Sequence, residues 1–283
     1  MTSLDQPAAA HRDAAPAPQG GLRQAMTDGL IVAQRNLMRV PRIPELAIFA
    51  VLQSIMFVLL FVIVFGGAIP IPGVSYTDYL LPGIFVQTVA FATATTAIGM
   101  ADDIGKGIID RFRSLPMARS GVLTGRSISD LVYNTGILVV LMAAGVVVGW
   151  RVGTSIPEFL LGVLLLVMFG FAMSWIGIWL GLSVPTVEVA QQVIFIVIFP
   201  LTFVSNVFVP IGTLPDWLQP LAEWNPISVL TAALRELWGS AIPGIPRDTI
   251  PAQYPVALTI IWVIVLVTIF APLGVRKYRT MNR

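Results

Sequence analysis

The stretch from Gly99 to Gly107 holds three glycines and a lysine, the residue types from which nucleotide-binding loops are built. Such a loop needs Gly, four residues, Gly, Lys and then Ser or Thr, because backbone amides wrap the phosphates and the hydroxyl meets magnesium. Here five residues separate Gly99 from Gly105-Lys106, and Gly107 stands where the hydroxyl is needed. We therefore predict that this chain binds no nucleotide and is not itself an enzyme.

The composition also argues against metal and covalent chemistry. The chain has no cysteine, and its single histidine, His11, lies in an opening segment rich in Ala and Pro. Six long apolar stretches contain no Asp, Glu, Lys, Arg or His. Ion-coupled transporters and intramembrane enzymes place such groups inside their spans. We expect no metal site and no cofactor in this chain, and we disfavour both of those function classes.

The six apolar stretches are each long enough to cross a bilayer as a helix, which takes about 20 residues. They run from Leu46 to Phe65, Leu80 to Ala101, Leu131 to Trp150, Phe159 to Val184, Val189 to Pro210 and Pro255 to Gly274. With 56% apolar and 11% charged residues, the chain is too apolar for a soluble domain of this size. The sequence predicts an all-α integral membrane protein with six transmembrane helices.

Basic residues are concentrated on one side of this arrangement. All but three of the 17 Lys and Arg residues precede the first stretch, follow the sixth, or lie between the second and third. The exceptions are Arg151, Arg235 and Arg247. The positive-inside rule then places both termini in the cytoplasm of a multi-pass plasma-membrane protein. Because membrane topology accounts for the positions of the basic residues, they give no reason to expect a nucleic-acid partner.

The residues before the first span divide into two parts. Residues 1–21 lack the continuous apolar core of a signal peptide, and we expect a flexible cytoplasmic tail. Apolar residues then recur at helical spacing from Leu22 to Leu37, which predicts an amphipathic helix in the inner interface. A loosely ordered leader is the alternative. Residues 22–283 would form one six-helix transmembrane domain.

The loop between the second and third spans contains a compact amphipathic segment. Ile108, Phe112 and Leu115 fall on one face of a short predicted helix that Pro116 closes. Such a helix suits insertion into a cleft on a soluble partner. An ordinary basic loop on lipid headgroups explains the residues equally well.

The connection after the fifth span predicts one further helix. Asn225 is a good N-cap and Pro226 a favoured first helical residue, so a helix should run from there to about Trp238. Arg235 falls off its apolar stripe. A helix in the outer leaflet could be a substrate gate or a purely structural lid.

Polar and aromatic side chains interrupt the second and fifth stretches, and they are the candidates for a transport pathway. Uncharged amides and aromatic rings suit an amphiphilic, partly aromatic cargo, although Gln and Asn also join helices and Phe commonly faces lipid. The candidates are Gln87, Thr88, Phe91, Thr95, Gln191, Gln192, Phe195, Phe199, Phe203 and Asn206.

The order and spacing of these pieces resemble the permease subunits of ABC type-2 exporters, and within them the daunorubicin/doxorubicin-resistance branch. The resemblance covers essentially the whole chain. It is carried by the six spans, residues 111–117, 200–210 and 214–218, Asn225-Pro226 and Arg235.

The resemblance implies a half-transporter that pairs with an identical or homologous second permease in membrane lipid. Two copies of a separate cytoplasmic ABC ATPase would bind the ATP and magnesium. The inner loop would be the coupling helix that contacts the ATPase. The amphipathic leader would be the interface helix, to which the movement of the coupling helix is passed on. The implied coupling residues are Asp102, Asp103, Gly107, Ile108, Arg111, Phe112, Leu115 and Pro116.

The function that this resemblance implies is export of a hydrophobic or amphiphilic, antibiotic-like molecule, with multidrug efflux as its outcome. A lipid or cell-envelope glycolipid is the alternative cargo. A structural membrane protein without transport activity is the alternative class, although it leaves the amphipathic inner loop unexplained. The direction of transport follows from the resemblance alone.

Overall fold

The computed structural model describes residues 44–65, 71–109, 119–243 and 248–281, and these ranges contain helices and turns but no strand. In chain order the α-helices are α1 (Pro44–Phe65), α2 (Tyr76–Gly105), α3 (Arg119–Val148), α4 (Ile156–Gly181), α5 (Val187–Phe203), α6 (Gln219–Trp224), α7 (Pro226–Leu237), α8 (Ile250–Gln253) and α9 (Pro255–Thr280). A 3₁₀ turn covers Ile211–Thr213 between α5 and α6.

Each of the six predicted apolar stretches falls on one of the longer helices. Among the residues that the structure describes, four helical segments are long and apolar enough to cross a membrane, namely Tyr76–Gly105, Gly121–Val148, Ile156–Gly181 and Pro255–Thr280. Helix α1 has 22 residues and is apolar from Leu46 to Phe65, whereas α5 is shorter, with 17 residues. The all-α membrane architecture is therefore confirmed, whereas six complete crossings stay a prediction.

Three predicted features lie wholly or partly outside the described residues. They are the cytoplasmic tail over residues 1–21, the amphipathic leader from Leu22 to Leu37, and the inner-loop residues Arg111, Phe112, Leu115 and Pro116. The described part of that loop ends at Ile109, whose side chain is buried.

Helix α2 lies at the centre of the bundle, where it packs against α4, α5, α7, α3 and α1. Its closest neighbour is α4, which presents two glycines to it. A Cβ atom added at Gly177 would lie 2.7 Å from the Thr93 carbonyl oxygen, and one at Gly181 would lie 2.5 Å from the Ala97 carbonyl oxygen. Small residues one turn apart thus let the two backbones approach closely.

Helix α5 ends at Phe203, so the predicted continuation of the fifth span to Pro210 is wrong. Pro200 lies in its last turn, where its ring disturbs the helical hydrogen-bond ladder. The side-chain amide of Asn225 then donates hydrogen bonds of 2.6 Å to the carbonyls of Leu201 and Val204. Because these bonds satisfy carbonyls at the helix end, the chain can leave the helix there.

The helix predicted to follow Asn225 is present as α7. The Asn225 side chain accepts a hydrogen bond of 2.9 Å from the backbone N–H of Ile227, and Pro226 is the first helical residue. Gly239, with a φ of 76°, follows the C-cap residue Trp238. Asn225 therefore both starts α7 and closes α5, which brings the ends of the two helices together.

Candidate functional site

A cavity of about 440 Å³ lies among α1, α2, α3 and α5, and we name it the four-helix cavity. Six of the ten predicted pathway residues line it: Gln87, Thr88, Phe91, Thr95, Phe195 and Phe199. Its other lining residues are Gln53, Phe57, Ile84, Ala92, Ala94, Asn134 and Ile137. The structure thus brings candidates from two separate predicted spans to one site.

Helical periodicity explains why these candidates share a face. On α2, Gln87, Thr88, Phe91 and Thr95 recur at steps of one, three and four residues, which places them on one side of a helix. The Thr88 hydroxyl donates a hydrogen bond of 2.8 Å to the Ile84 carbonyl of its own helix. This bond reduces the polarity of Thr88 toward the cavity, which leaves the Gln87 amide and the Thr95 hydroxyl as the hydrogen-bonding groups of α2 at this site.

Two lining amides were missing from the sequence prediction. Gln53 lies on α1 and Asn134 on α3, and both border the four-helix cavity. Each is an amide within an otherwise apolar helix, the same signal that singled out Gln87. Applying that signal to all spans would have found them.

Four predicted pathway residues do not line the four-helix cavity. Gln191 and Gln192 are exposed on α5, and Phe203 is 43% exposed at its end. Asn206 is buried near α7, where its side-chain amide donates a 3.2 Å hydrogen bond to the Ser228 carbonyl. Gln191 and Gln192 precede the lining residues of α5 along the chain, and Phe203 and Asn206 follow them. They therefore lie about one turn or more away along the axis of α5 or beyond its end.

Phenylalanine rings form a continuous chain around the edge of this region. The chain joins α5 to α1 through Phe208, in the irregular segment after α5. Successive ring centroids are 4.8 Å apart for Phe195–Phe199, 4.4 Å for Phe199–Phe203, 5.2 Å for Phe203–Phe208, 4.5 Å for Phe208–Phe61 and 5.7 Å for Phe61–Phe57. Such spacing is typical of interacting aromatic pairs.

The lining of the four-helix cavity combines three amides and a threonine pair with aromatic and aliphatic walls, and it includes no ionisable side chain. Sites of this volume and composition bind small molecules that bury apolar surface and make a few hydrogen bonds. Among the described residues, the cavity therefore offers binding and orientation rather than acid, base or nucleophile chemistry.

Charged residues gather at the other end of α2, next to the inner loop. Asp103 is 5% exposed, and its carboxylate accepts a hydrogen bond of 3.0 Å from Arg126 of α3. Arg126 also donates to Asp130 at 3.1 Å. The predicted coupling residue Asp103 therefore holds α2 to α3. That either carboxylate of the Asp102-Asp103 pair meets an ATPase stays a prediction.

The other described coupling candidates are half-buried and lie at the end of α2 or just after it. Asp102 accepts a hydrogen bond of 2.6 Å from Lys106 one turn later. Gly107 has a φ of 67°, a left-handed conformation that suits glycine and redirects the chain after the helix. Ile108 is half-buried beside it. Any role of these residues in contacting a partner stays a prediction.

Arg235 is buried, whereas the sequence placed it off the apolar stripe of α7. Its guanidinium donates hydrogen bonds of 2.9 Å to the Tyr79 carbonyl and 3.1 Å to the Val207 carbonyl, and it lies 3.5 Å from the centroid of the Tyr79 ring. Burial lowers the pKa of Arg235, and Tyr79 acts in the opposite direction. An arginine side chain nevertheless keeps its charge in proteins. Arg235 thus links α7, α2 and the segment after α5.

Comparison with known proteins agrees with this architecture. The daunorubicin resistance ABC transporter permease protein DrrB1 of Streptomyces coeruleorubidus is 34% identical over 88% of this chain and 84% of its own length. The probable doxorubicin resistance ABC transporter permease protein DrrC of Mycobacterium tuberculosis is 24% identical over 87% and 86%. The polysialic acid transport protein KpsM of Escherichia coli is 23% identical over 82% and 84%.

A family match covers most of the chain, including the four-helix cavity and α7. The family description "ABC-2 type transporter" matches residues 28–237. The drug-resistance relatives are named as permease proteins. Several described helices of this chain are long and apolar enough to cross a membrane, which agrees with a membrane permease. This protein is therefore a multi-pass membrane permease that belongs to the ABC-2 type transporter family.

Proposed function

We propose that this chain is the transmembrane subunit of an ABC exporter that moves a hydrophobic or amphiphilic small molecule out of the cell. The four-helix cavity is the observation that carries the proposal, because it joins amides and aromatic rings within the apolar helices. The names of the relatives DrrB1 and DrrC, which refer to daunorubicin and doxorubicin resistance, support a drug-like cargo.

The energy would come from a separate ATPase. We propose that two copies of a cytoplasmic ABC ATPase bind ATP and magnesium, and that a second permease, identical or homologous, completes the pathway. We propose the plasma membrane as the location, and the distribution of Lys and Arg supports cytoplasmic positions for both termini. The inner loop between α2 and α3 would then face the ATPase.

The ion pairs at the inner end suggest how a push on the loop would reach the cavity. Asp103 of α2 and Arg126 of α3 hold together the two helices that flank the loop. The same two helices contribute Gln87 and Asn134 to the four-helix cavity. A displacement of the loop would therefore move two walls of the cavity together, while α5 supplies a wall that is not tied to the loop.

Replacing Leu115 with Asp is expected to leave the protein in the membrane and to reduce ATP-driven export about tenfold or more. A charge forced into an apolar contact with the ATPase would be unpaired and poorly solvated. Export is measured with the cognate ATPase in inverted vesicles. Leu115→Met, which keeps the apolar surface, serves as the control. Undiminished export by Leu115→Asp would contradict the coupling role of the loop.

The cargo role of the four-helix cavity can be tested by ATP-dependent uptake of daunorubicin into inverted vesicles that contain this chain and its ATPase. Phe199→Ala and Gln87→Leu are each expected to raise the KM about tenfold, because each removes an aromatic wall or a hydrogen-bonding group. Gln192→Leu, on the exposed side of α5, is the matched control and should leave the KM unchanged. Equal KM values for all three variants would contradict the cavity as the binding site.

A lipid or cell-envelope glycolipid is the second candidate cargo. Phe195 lines the cavity and is also 58% exposed, so the cavity reaches the outer surface of α5, where an acyl chain could enter. The relative named as a polysialic acid transport protein also fits envelope export. ATP-dependent movement of a fluorescent lipid without daunorubicin uptake would favour this candidate. No ATP-dependent movement of either compound would favour a structural membrane protein.

A further inference from the structure

A series of contacting phenylalanine rings connects α1 to α5, and we name it the aromatic arch. Its members in order are Phe57, Phe61, Phe208, Phe203 and Phe199. Phe57 and Phe199, at the two ends, line the four-helix cavity, whereas the three rings between them do not. Phe61 and Phe203 each lie about one helical turn beyond the lining residue of their own helix. The arch therefore starts at the α1 wall of the cavity, passes beyond the cavity and returns at the α5 wall.

Helix α2 shows on which side of the cavity the arch lies. Its lining residues run from Ile84 to Thr95, and the inner loop follows its end at Gly105. Phe208 lies near the opposite end of α2, because its carbonyl accepts a hydrogen bond of 3.4 Å from the hydroxyl of Tyr76, the first helical residue. The arch is thus on the side of the cavity that faces away from the inner loop.

The segment after α5 that carries the central ring of the arch has no regular structure, and side chains fix its backbone. The carbonyls of residues 206–208 accept hydrogen bonds from the side chains of Tyr79, Arg235 and Tyr76, in that order, at 3.0, 3.1 and 3.4 Å. A Cβ atom added at Gly83 of α2 would lie 2.8 Å from the middle one of these carbonyl oxygens. Irregular backbone within a membrane bundle persists only where its polar groups find such partners. The position of the central ring is therefore set by α2 and α7.

We propose that Phe208 closes the four-helix cavity on the side away from the inner loop, and that Tyr76 and Tyr79 are positioning residues that hold it there. The ring of Phe208 is buried and fills the space between α1 and α5, with Phe61 on one side and Phe203 on the other. A constriction of apolar rings excludes water and charged solutes. That this closure opens for a cargo rests on the proposed function, whereas the closure itself does not.

Thiol labelling of the full chain in sealed membrane vesicles tests the closure, because the chain has no cysteine of its own. Thr88→Cys, a change that nearly keeps the size of the side chain, places a reporter thiol in the lining of the cavity. Gly212→Cys places a reference thiol at an exposed position shortly after Phe208, where an added Cβ meets no atom within 4 Å. A charged, membrane-impermeant methanethiosulfonate is applied from the side on which the reference thiol reacts. The labelling rate of each thiol is then measured by mass spectrometry.

With the arch intact, we expect the reporter at Thr88→Cys to react far more slowly than the reference thiol. Phe208→Ala is expected to raise the reporter rate at least about tenfold, because it removes both ring contacts that join α1 to α5. Tyr76→Phe combined with Tyr79→Phe keeps both rings but loses two hydrogen bonds to the segment that carries Phe208, so we expect a smaller rise.

A matched control separates closure of the cavity from general packing. Phe270→Ala removes a ring contact with Trp179 on the far side of the bundle from the cavity lining and should leave the reporter rate unchanged. An equal rise in Phe270→Ala and Phe208→Ala would reveal general loosening and overturn the proposal. If Phe208→Ala does not reach the membrane, Phe61→Ala removes the contact from the α1 side and is expected to give the same rise.

Two further results would also overturn the proposal. One is rapid labelling of the reporter with every ring in place, and the other is a slow rate that neither Phe208→Ala nor Phe61→Ala changes. Labelling requires neither ATP nor a cargo, so these rates would be the same if the chain exported nothing. Failure of the proposed function and failure of the closure are therefore distinguishable.

Discussion

Replacing Gly181 with Ala is expected to reduce the free energy of unfolding by about 3 kcal/mol, at the upper end for an overpacked site. The added Cβ would lie 2.5 Å from the Ala97 carbonyl oxygen and 2.7 Å from the Met100 Cβ. Both atoms belong to the backbone or its first side-chain carbon on α2, so neither can rotate away. Helices α2 and α4 must therefore separate along their closest contact.

The free energy of unfolding can be measured by SDS titration in mixed micelles. Gly136 of α3 is the matched control, because a Cβ added there meets no atom within 4 Å. Gly136→Ala should be neutral or stabilising by about 0.5–1 kcal/mol, since Ala favours a helix over Gly. If both variants changed the free energy by the same amount, the close approach of α2 and α4 at Gly181 would not be the cause.

Replacing Arg235 with Ala is the second change for which we expect a large loss, again about 3 kcal/mol. The substitution leaves the buried Val207 carbonyl without the arginine donor, at a cost of about 1–3 kcal/mol. It also removes the bond from Arg235 to the Tyr79 carbonyl, which lies within α2. It also removes the contact with the Tyr79 ring. Relief from burying a charge offsets part of this loss.

Arg235→Lys distinguishes these contributions in the same titration. Lysine keeps the positive charge but lacks the planar fork that reaches two carbonyls at once, so we expect an intermediate loss. Arg276→Ala, at an exposed position on α9, should change the free energy by less than about 0.5 kcal/mol. A loss for Arg235→Ala no greater than that for Arg276→Ala would show that the link between α7 and α2 contributes little.

Features that depend on one helix or on neighbouring residues could be predicted from the sequence. Apolar length located the six longer helices, and the pair Asn225-Pro226 located the start of α7, since capping is a local interaction. Gln87 and Phe91 were predicted as polar and aromatic interruptions of an apolar stretch. They lie four residues apart on one face of α2, and that face borders the four-helix cavity.

Features that depend on contacts between distant segments were predicted less well. Arg235 was placed off the apolar stripe because its partners are carbonyls of α2 and of the segment after α5, which the periodicity of α7 cannot reveal. The fifth span was extended to Pro210 because its composition stays apolar, while the end of the helix depends on Asn225 more than 20 residues later. Gln191 resembles Gln87 in type, and only packing shows that it is exposed.

The central position of α2 has a consequence for how the protein is made. Helix α2 contacts α4, α5 and α7, all of which are synthesised after it. Thr93 and Thr96 of α2 are buried where Gly177 of α4 packs against them, so this face of α2 lacks its partner until α4 is made. During translation, α2 must therefore remain at the insertion machinery or against α1 and α3 until α4 emerges. Biogenesis of the bundle is complete only when this early helix receives its late partners.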